Sequence, residues 1–556
     1  MSEPEDVRRL RALPLDVEVT GEEYVDQLTR LYARDPDAPT QTLRPLQAAM
    51  LVQAIRGDGL VALAGCGSGK TLTSLLLPLV LGAERPLLLL PAAMRAQNAS
   101  DQRDYARHWR LIPVEVMSYE GLSSPSQRAR LEELAPDLII CDEAHALRNL
   151  KSARVRRLES YIRASRARLC ALSGTLVSRS LRDYAHVMNW ALRVWSPLPR
   201  HNSMIDVFAR VIEDGDATRQ MSEYVDGALP PGDTLEDRLH VRLRRSRGVV
   251  ISSDQRVASS LVIETRRYRQ SARLRSALVR LLADQNVVSA THDALDEETV
   301  ELMLRSSDLW SPKDAIYSRV WAQLAMGCVY IWDWGDRAPD YQWVEARRGW
   351  GSTAHRILDV GRYDSEALLK RDLRSGAFED QRARDALEAW DAVRDREPPA
   401  TRAIWVDTSW VEDVVAWARE QRDPPIIWVQ LQEVARKLHD LTGWAMYGSG
   451  SEASAQLDAN RHTAHPCIMS IASHGTGKNL QAWRSQIVAH PLSHPARWEQ
   501  MIARTHRHGQ LADSVSVTVY RHGLFGRALN KARRDAQYIV DTTGQEQRLI
   551  YADEAR

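Results

Sequence analysis

Short runs rich in apolar residues recur along two parts of this chain, separated by longer stretches that contain polar residues, glycine and proline. The first set is Leu60-Val61-Ala62-Leu63, Pro86 to Leu90, Pro113 to Met117, Asp137 to Cys141 and Leu169 to Leu172. The second is Pro425 to Val429, Cys467 to Ala472 and Ser514 to Tyr520. Runs this short, most of them apolar at consecutive positions, read as strands, as in parallel sheets buried on both faces. Segments of helical character separate them: Thr71 to Leu77 with Pro78 as a kink or stop, Ala92 to Ala99, most of 180–250, Gln432 to Thr442 and Gly526 to Tyr538. Strand and helix in alternation predict an α/β chain with two parallel sheets.

Outside these two systems the pattern changes. Residues 1–40 are polar, with one helix expected around Glu22 to Tyr32 and a break at Asp35-Pro36-Asp37-Ala38-Pro39. Between 251 and 424, Tyr268 to Asn286, Asp293 to Ser306 and the charged Glu379 to Glu397 have helical periodicity, and Pro398-Pro399 reads as a linker. A largely helical insertion is expected there. It holds ten of the seventeen tryptophans, among them Trp321, Trp332, Trp334, Trp343 and Trp350, in a chain with three phenylalanines. Tryptophan buries a large area, so these rings read as core packing, with base stacking the competing use. The expected division is an arm (1–40), a first lobe (41–250), the insertion (251–424) and a second lobe (425–556).

A chain of 556 residues, 44% hydrophobic and 26% charged, is too long for a single core and has an ordinary globular composition. No apolar run approaches the ~20 residues of a membrane span, and the acidic start Met1-Ser2-Glu3-Pro4-Glu5-Asp6 does not read as a secretory signal. An intracellular protein without a membrane partner is the expectation. Cys66, Cys141, Cys170, Cys328 and Cys467 lack metal-ligand or disulfide spacing and are expected reduced. A net charge of +1 means that any nucleic-acid track has to be a local stripe.

Two stretches carry chemistry. Ala64-Gly65-Cys66-Gly67-Ser68-Gly69-Lys70-Thr71 lies between an apolar strand and a helix. Gly67 and Gly69 leave the backbone N–H groups open to a triphosphate, and the helix points its positive end at the phosphates. Lys70 can reach the β/γ oxygens and Thr71 can hold Mg²⁺. The second stretch, Asp142-Glu143-Ala144-His145, closes the apolar strand 137–141. Carboxylates at the tip of a parallel strand face the crevice where ligands bind. Asp142 is the expected Mg²⁺ ligand, and Glu143 the base for the attacking water.

In order along the chain, these stretches resemble the motifs of superfamily 2 helicase-like ATPases. The phosphate loop has the AxxGxGKT form, with Ala64 where the commoner pattern has Gly. Upstream, Leu43-Arg44-Pro45-Leu46-Gln47 is similar to the Swi/Snf segment whose glutamine reads adenine, which implies Gln47 as the adenine contact. Pro91 falls in a segment similar to motif Ia, Ser118-Tyr119-Glu120 in one similar to motif Ib, and the DEAH stretch continues as Ala146-Leu147-Arg148-Asn149. Ser173-Gly174-Thr175 resembles motif III, with Leu176 and Arg179 departing from the Swi/Snf form, and Leu243-Arg244-Arg245-Ser246 resembles the segment leaving the first lobe. Tyr447-Gly448-Ser449-Gly450 follows a motif IV-like strand. Ser473-His474-Gly475-Thr476-Gly477-Lys478-Asn479 is similar to motif V, with His474 in place of Gly. Ser493-His494-Pro495 stands for the family's Trp-Asn-Pro, and Gln500 to Gln510, with Ala503 for Gly, is similar to motif VI.

The resemblance runs from about Leu43 to Tyr538, outside the 260–425 region, and is nearest the small stand-alone Swi/Snf-type proteins carried by phages. It implies two RecA-like lobes of the P-loop NTPase class, with ATP and Mg²⁺ as cofactors. Arg504 and Arg507, three apart and so on one helix face, would be arginine fingers. His145, Ser173, Thr175, Gly475 and Gln500 would couple the site, and Pro91, Ser118, Tyr119 and Asn479 would touch the nucleic-acid backbone. The implied activity is a DNA-dependent ATPase translocating on double-stranded DNA. A strand-separating helicase acting on single-stranded DNA is the first alternative, and a DNA-bound scaffold with a vestigial ATP site the second.

Overall fold

The structure, a computed structural model, describes residues 3–65, 67–122, 125–150, 152–177, 179–215, 217–252, 257–277, 314–360, 363, 366–475 and 478–555. The expected helix at Asp293 to Ser306 lies outside them. The chain divides into two compact units. The first is Met1–Arg256 with Ile357–Leu369 and Arg534–Tyr551, and the second is Val257–Arg356 with Lys370–Arg533 and Ala552–Arg556. Arg534–Tyr551, expected with the second lobe, thus belongs to the first unit.

The first unit holds a sheet of six strands: β1 (Leu60–Leu63), β2 (Pro86–Leu90), β3 (Glu115–Ser118), β4 (Leu138–Asp142), β5 (Arg168–Ser173) and β6 (Val249–Ile251), in the order β3-β2-β4-β5-β1-β6. Every neighbouring pair is parallel. The apolar runs owe their continuity to two separate cores. Val61, Leu63, Leu87, Leu89, Ile139, Cys141, Leu169 and Ala171 pack into one. Their alternates Leu60, Ala62, Leu88, Leu90, Leu138, Ile140, Cys170 and Leu172 pack into the other. Successive side chains of a strand point to opposite faces, so a sheet covered on both sides needs an apolar residue at every position. The helix after β1 runs Lys70–Val80 with Pro78 inside it, ending two residues beyond the proline that was expected to kink or stop it.

The N-terminal arm is built into this unit. Helix Glu5–Ala12 buries Val7 and Leu10 in the first core. Its buried Asp6 accepts from the backbone N–H of Arg200 and of His201, and Asp6 Oδ2 lies 2.9 Å from His201 Nδ1. Arg9 on the same helix donates to the carbonyls of Ser196 and Leu198.

The second unit holds seven parallel strands: β7 (Ser260–Arg266), β10 (Pro425–Val429), β11 (Ala445–Tyr447), β12 (Cys467–Ser470), β13 (Ser485–Val488), β14 (Ser514–Tyr520) and β15 (Asp553–Ala555). Their order is β11-β12-β10-β13-β14-β7-β15. β7 lies in the stretch expected to be helical insertion, yet it pairs with β14 from Ser260↔Ser514 to Arg266↔Tyr520. Its exposed and half-buried positions mask the apolar run that marks a central strand. The rest of that region includes an antiparallel pair, β8 (Cys328–Asp333) and β9 (Ala400–Trp405), and helices Tyr341–Val360, Glu366–Ser375 and Gln381–Asp391. Trp343 sits at its centre with edge-on contacts to Trp332, Trp334 and Trp390, so these rings pack on one another. Among the described residues, no helix is long and apolar enough to cross a membrane.

Asp6 gives the fold a pH-sensitive anchor. Burial raises its pKa, but the hydrogen bonds from His201 and Arg200 outweigh that and hold it below the usual carboxylate value. A depressed folded-state pKa contributes stability above the unfolded pKa, and that stability is lost as pH falls through the folded value. Asp6→Ala should therefore cost about 2 kcal/mol near neutral pH, with the gap to wild type narrowing on acidification. Thermal melts across pH check this, and equal melting temperatures at neutral pH would contradict it.

Candidate active site

Strand register builds this site. Leu63 at the end of β1 pairs with Ser173 at the end of β5, and Leu172 pairs with Asp142 at the end of β4. Three adjacent parallel strands thus finish together, and the segments leaving them are the glycine loop, the DEAH stretch and Ser173-Gly174-Thr175. The carboxyl edge of a parallel sheet is where such loops meet a ligand.

Two glycines of the loop take backbone that favours glycine. Gly67 and Gly69 both have positive φ, 86° and 88°. A Cβ on Gly69 would lie 2.3 Å from Gln47 Nε2, whereas one on Gly67 would meet nothing within 4 Å. Gly69 caps the helix that begins at Lys70. Cys66 lies outside the described residues. Lys70 is buried, and its ammonium donates to the carbonyls of Ala64 at 2.7 Å and Gly65 at 2.8 Å. Ser68 Oγ also donates to the Gly65 carbonyl. Gln47, the expected adenine reader, accepts from the Arg44 N–H through Oε1 and donates to the Gly69 carbonyl through Nε2. Arg44, not singled out by its sequence, donates to the Gly67 carbonyl. Thr71 is half-buried in the first turn of the helix.

Asp142 is buried at the tip of β4. Burial, and behind it the charge of Glu143, push its carboxyl well above the usual carboxylate range, while Lys70 pulls the other way. Glu143 has left-handed backbone, φ 54° and ψ 49°. For a residue with a Cβ this costs on the order of 1–3 kcal/mol and persists only where the surroundings impose it. The strain turns the chain sharply off the strand. Glu143 Oε2 lies 3.2 Å from His145 Nδ1, which is in turn 3.4 Å from Ser173 Oγ. Ser173 Oγ accepts from the Thr175 N–H. Gly174 sits close against the loop, where a Cβ would stand 3.0 Å from the Ala64 carbonyl oxygen and 3.1 Å from Gly65 Cα. Two glycines with positive φ, a lysine and two adjacent carboxylates thus lie on segments leaving neighbouring strand ends.

Two residues expected on a nucleic-acid track are placed otherwise. Tyr119 is fully buried, and its hydroxyl donates to the Asp142 backbone carbonyl at 2.8 Å. It braces the β4 tip and presents no surface. Ser118 is buried, and its Oγ accepts from the Gly121 N–H. Pro91 is half-buried at the end of β2, where the next N–H, of Ala92, donates to Glu120.

The remaining candidates lie in the second unit. Arg504 and Arg507 do not share a helix face, because helix Pro495–Ile502 stops before them. The turn that follows is held by other bonds: Leu480 N–H donates to the Arg504 carbonyl, and Gln510 Nε2 to the carbonyls of Thr505 and Trp483. Arg504 is buried and donates to the carbonyls of Gln500 and Lys478, and Arg507 is half-buried. Gly475 is required as glycine, since a Cβ would meet the Ile471 carbonyl oxygen at 2.4 Å. Thr476 and Gly477 lie outside the described residues, and Asn479 is exposed. His474, standing where the resembled family has Gly, is buried with Nε2 2.8 Å from the Gly448 carbonyl oxygen.

Comparison of the chain with models of protein families gave no match, and comparison with the curated proteins gave none.

Tyr119 separates a brace from a nucleic-acid contact. Tyr119→Phe should lower stability by about 1 kcal/mol through the lost hydroxyl and leave affinity for DNA unchanged. Thermal melts and a DNA-binding titration check this; weakened DNA binding at unaltered stability would restore the surface role.

Proposed function

We propose that this chain is an ATP hydrolase of the Swi/Snf type within superfamily 2, driven by ATP and Mg²⁺ to translocate on double-stranded DNA and so remodel protein-DNA or DNA structures. One observation carries the nucleotide part. The glycine loop, Lys70, Asp142, Glu143 and the Ser173-Gly174-Thr175 segment leave three adjacent strand ends of a single sheet. The DNA part rests on the resemblance of the segments around Pro91, Gly475 and Asn479 to backbone-gripping motifs, and on the form of Arg504 to Gln510.

In this reading the Lys70 ammonium exchanges the Ala64 and Gly65 carbonyls for β/γ phosphate oxygens. Gln47 exchanges its hold on Gly69 for the adenine edge. Thr71 and Asp142 are the residues that would hold Mg²⁺, which when bound supplies positive charge to the phosphate oxygens. A pKa raised by burial falls again beside a cation, so the buried Asp142 fits that role. Glu143 takes a proton from water as its oxygen attacks the γ-phosphorus and the bond to the ADP oxygen breaks. His145 holds the Glu143 carboxylate toward Ser173. Arg504 and Arg507 are assigned by the resemblance to the charge that develops on the γ-phosphate.

Glu143→Gln keeps size and removes the base, so ATP turnover should fall by about a hundredfold or more while nucleotide still binds. Lys70→Ala should weaken nucleotide binding as well. Turnover assays with a parallel titration of a fluorescent ATP analogue check both. Near-normal turnover by Glu143→Gln would overturn the assignment.

A further inference from the structure

The segment Arg534–Tyr551 of the first unit reaches the loop after β5 at two places. Gln545, 1% exposed, donates through Nε2 to the Gly174 carbonyl at 2.7 Å. Its own backbone N–H is held by Thr543 Oγ1. Seven residues earlier, the Tyr538 hydroxyl donates to Glu213 Oε1 at 2.6 Å. That carboxylate also accepts from the Leu181 N–H at 2.6 Å and from Ser180 Oγ at 2.5 Å. Ile539, between the two, is buried in the core of the unit. One segment therefore holds Gly174 directly and holds Ser180 and Leu181 through Glu213.

Gly174 is the point where this hold meets the phosphate loop. A Cβ there would stand 3.0 Å from the Ala64 carbonyl oxygen and 3.1 Å from Gly65 Cα, tighter than ordinary contact, and the carbonyls of those two residues carry the Lys70 ammonium. Gln545 is thus three contacts away from the lysine. Its Oε1 is buried without a hydrogen-bond partner, a cost that an apolar side chain of the same length would avoid. The amide is spent on one bond, the one to Gly174.

We propose that Gln545 is a positioning residue for ATP turnover, setting the seat of Gly174 against Ala64 and Gly65 and through it the position of Lys70. The segment 534–551 is then a built-in control element of the site, with Tyr538 holding the far end of the same loop. The proposal rests on the ATPase reading above. It concerns the rate of turnover first, because Gln545 does not touch the loop N–H groups that would carry the phosphates and reaches nucleotide affinity only through Lys70.

The test uses the full chain with Gln545→Met, which keeps length and removes the N–H donor. The readouts are kcat, KM, the Kd of a fluorescent ATP analogue, the melting temperature, and amide hydrogen exchange over 174–177. A kcat lowered about tenfold with KM and Kd within about twofold is expected, together with faster exchange confined to that loop. If Gln545→Met does not fold, Gln545→Asn, which withdraws the amide by one methylene, is read in the same way. Wild-type kcat and wild-type exchange in the variant would overturn the proposal. A wild-type chain that neither binds nor hydrolyses ATP would instead remove the reading on which it rests, while the exchange data still report whether Gln545 holds the loop.

Discussion

The pairing register of β4, β5 and β1 is the constraint on which the candidate site depends. Leu63 opposite Ser173 and Leu172 opposite Asp142 bring three strands to the same level. A slip of one residue would reverse the faces of a strand and move its apolar set from one core to the other. The two cores therefore hold the register, and the register holds the loops. Gly174 against Ala64 is a consequence, since loops leaving adjacent strand ends have little space between them.

This dependence explains what was legible in the sequence. β1, β2 and β10 match their apolar runs because a strand buried on both faces carries a residue-by-residue signal in its own composition. The DEAH stretch could be placed at a strand tip because the apolar run stops there, and the structure puts Asp142 at the end of β4. β7 carried no such run. Half-buried between β14 and β15, it takes its place from pairing with strands about 250 and 290 residues away along the chain.

The site residues divide in the same way. Local chemistry singled out Lys70, Asp142 and Glu143, whereas roles set by distant packing were hidden. Tyr119 and Ser118 sit in a motif-like string, yet the phenol is drawn inward to a carbonyl on β4. The spacing of Arg504 and Arg507 fits a helix face, but side chains and a distant N–H satisfy that backbone in place of a further helical turn. Gln545 lies 371 residues from the carbonyl it holds, and no periodicity or motif spans such a distance. The left-handed backbone at Glu143 was equally invisible, since nothing in the sequence marks a strained residue other than glycine.

The central claim is that DNA, and duplex DNA above all, drives ATP turnover by this chain. The most direct measurement is the steady-state ATP hydrolysis rate of the full chain with Mg²⁺ in three conditions: no nucleic acid, single-stranded DNA and double-stranded DNA. The account predicts slow basal turnover and the largest stimulation by the duplex. No turnover in any condition would contradict it, and stronger stimulation by single strands would favour strand separation over tracking along the duplex.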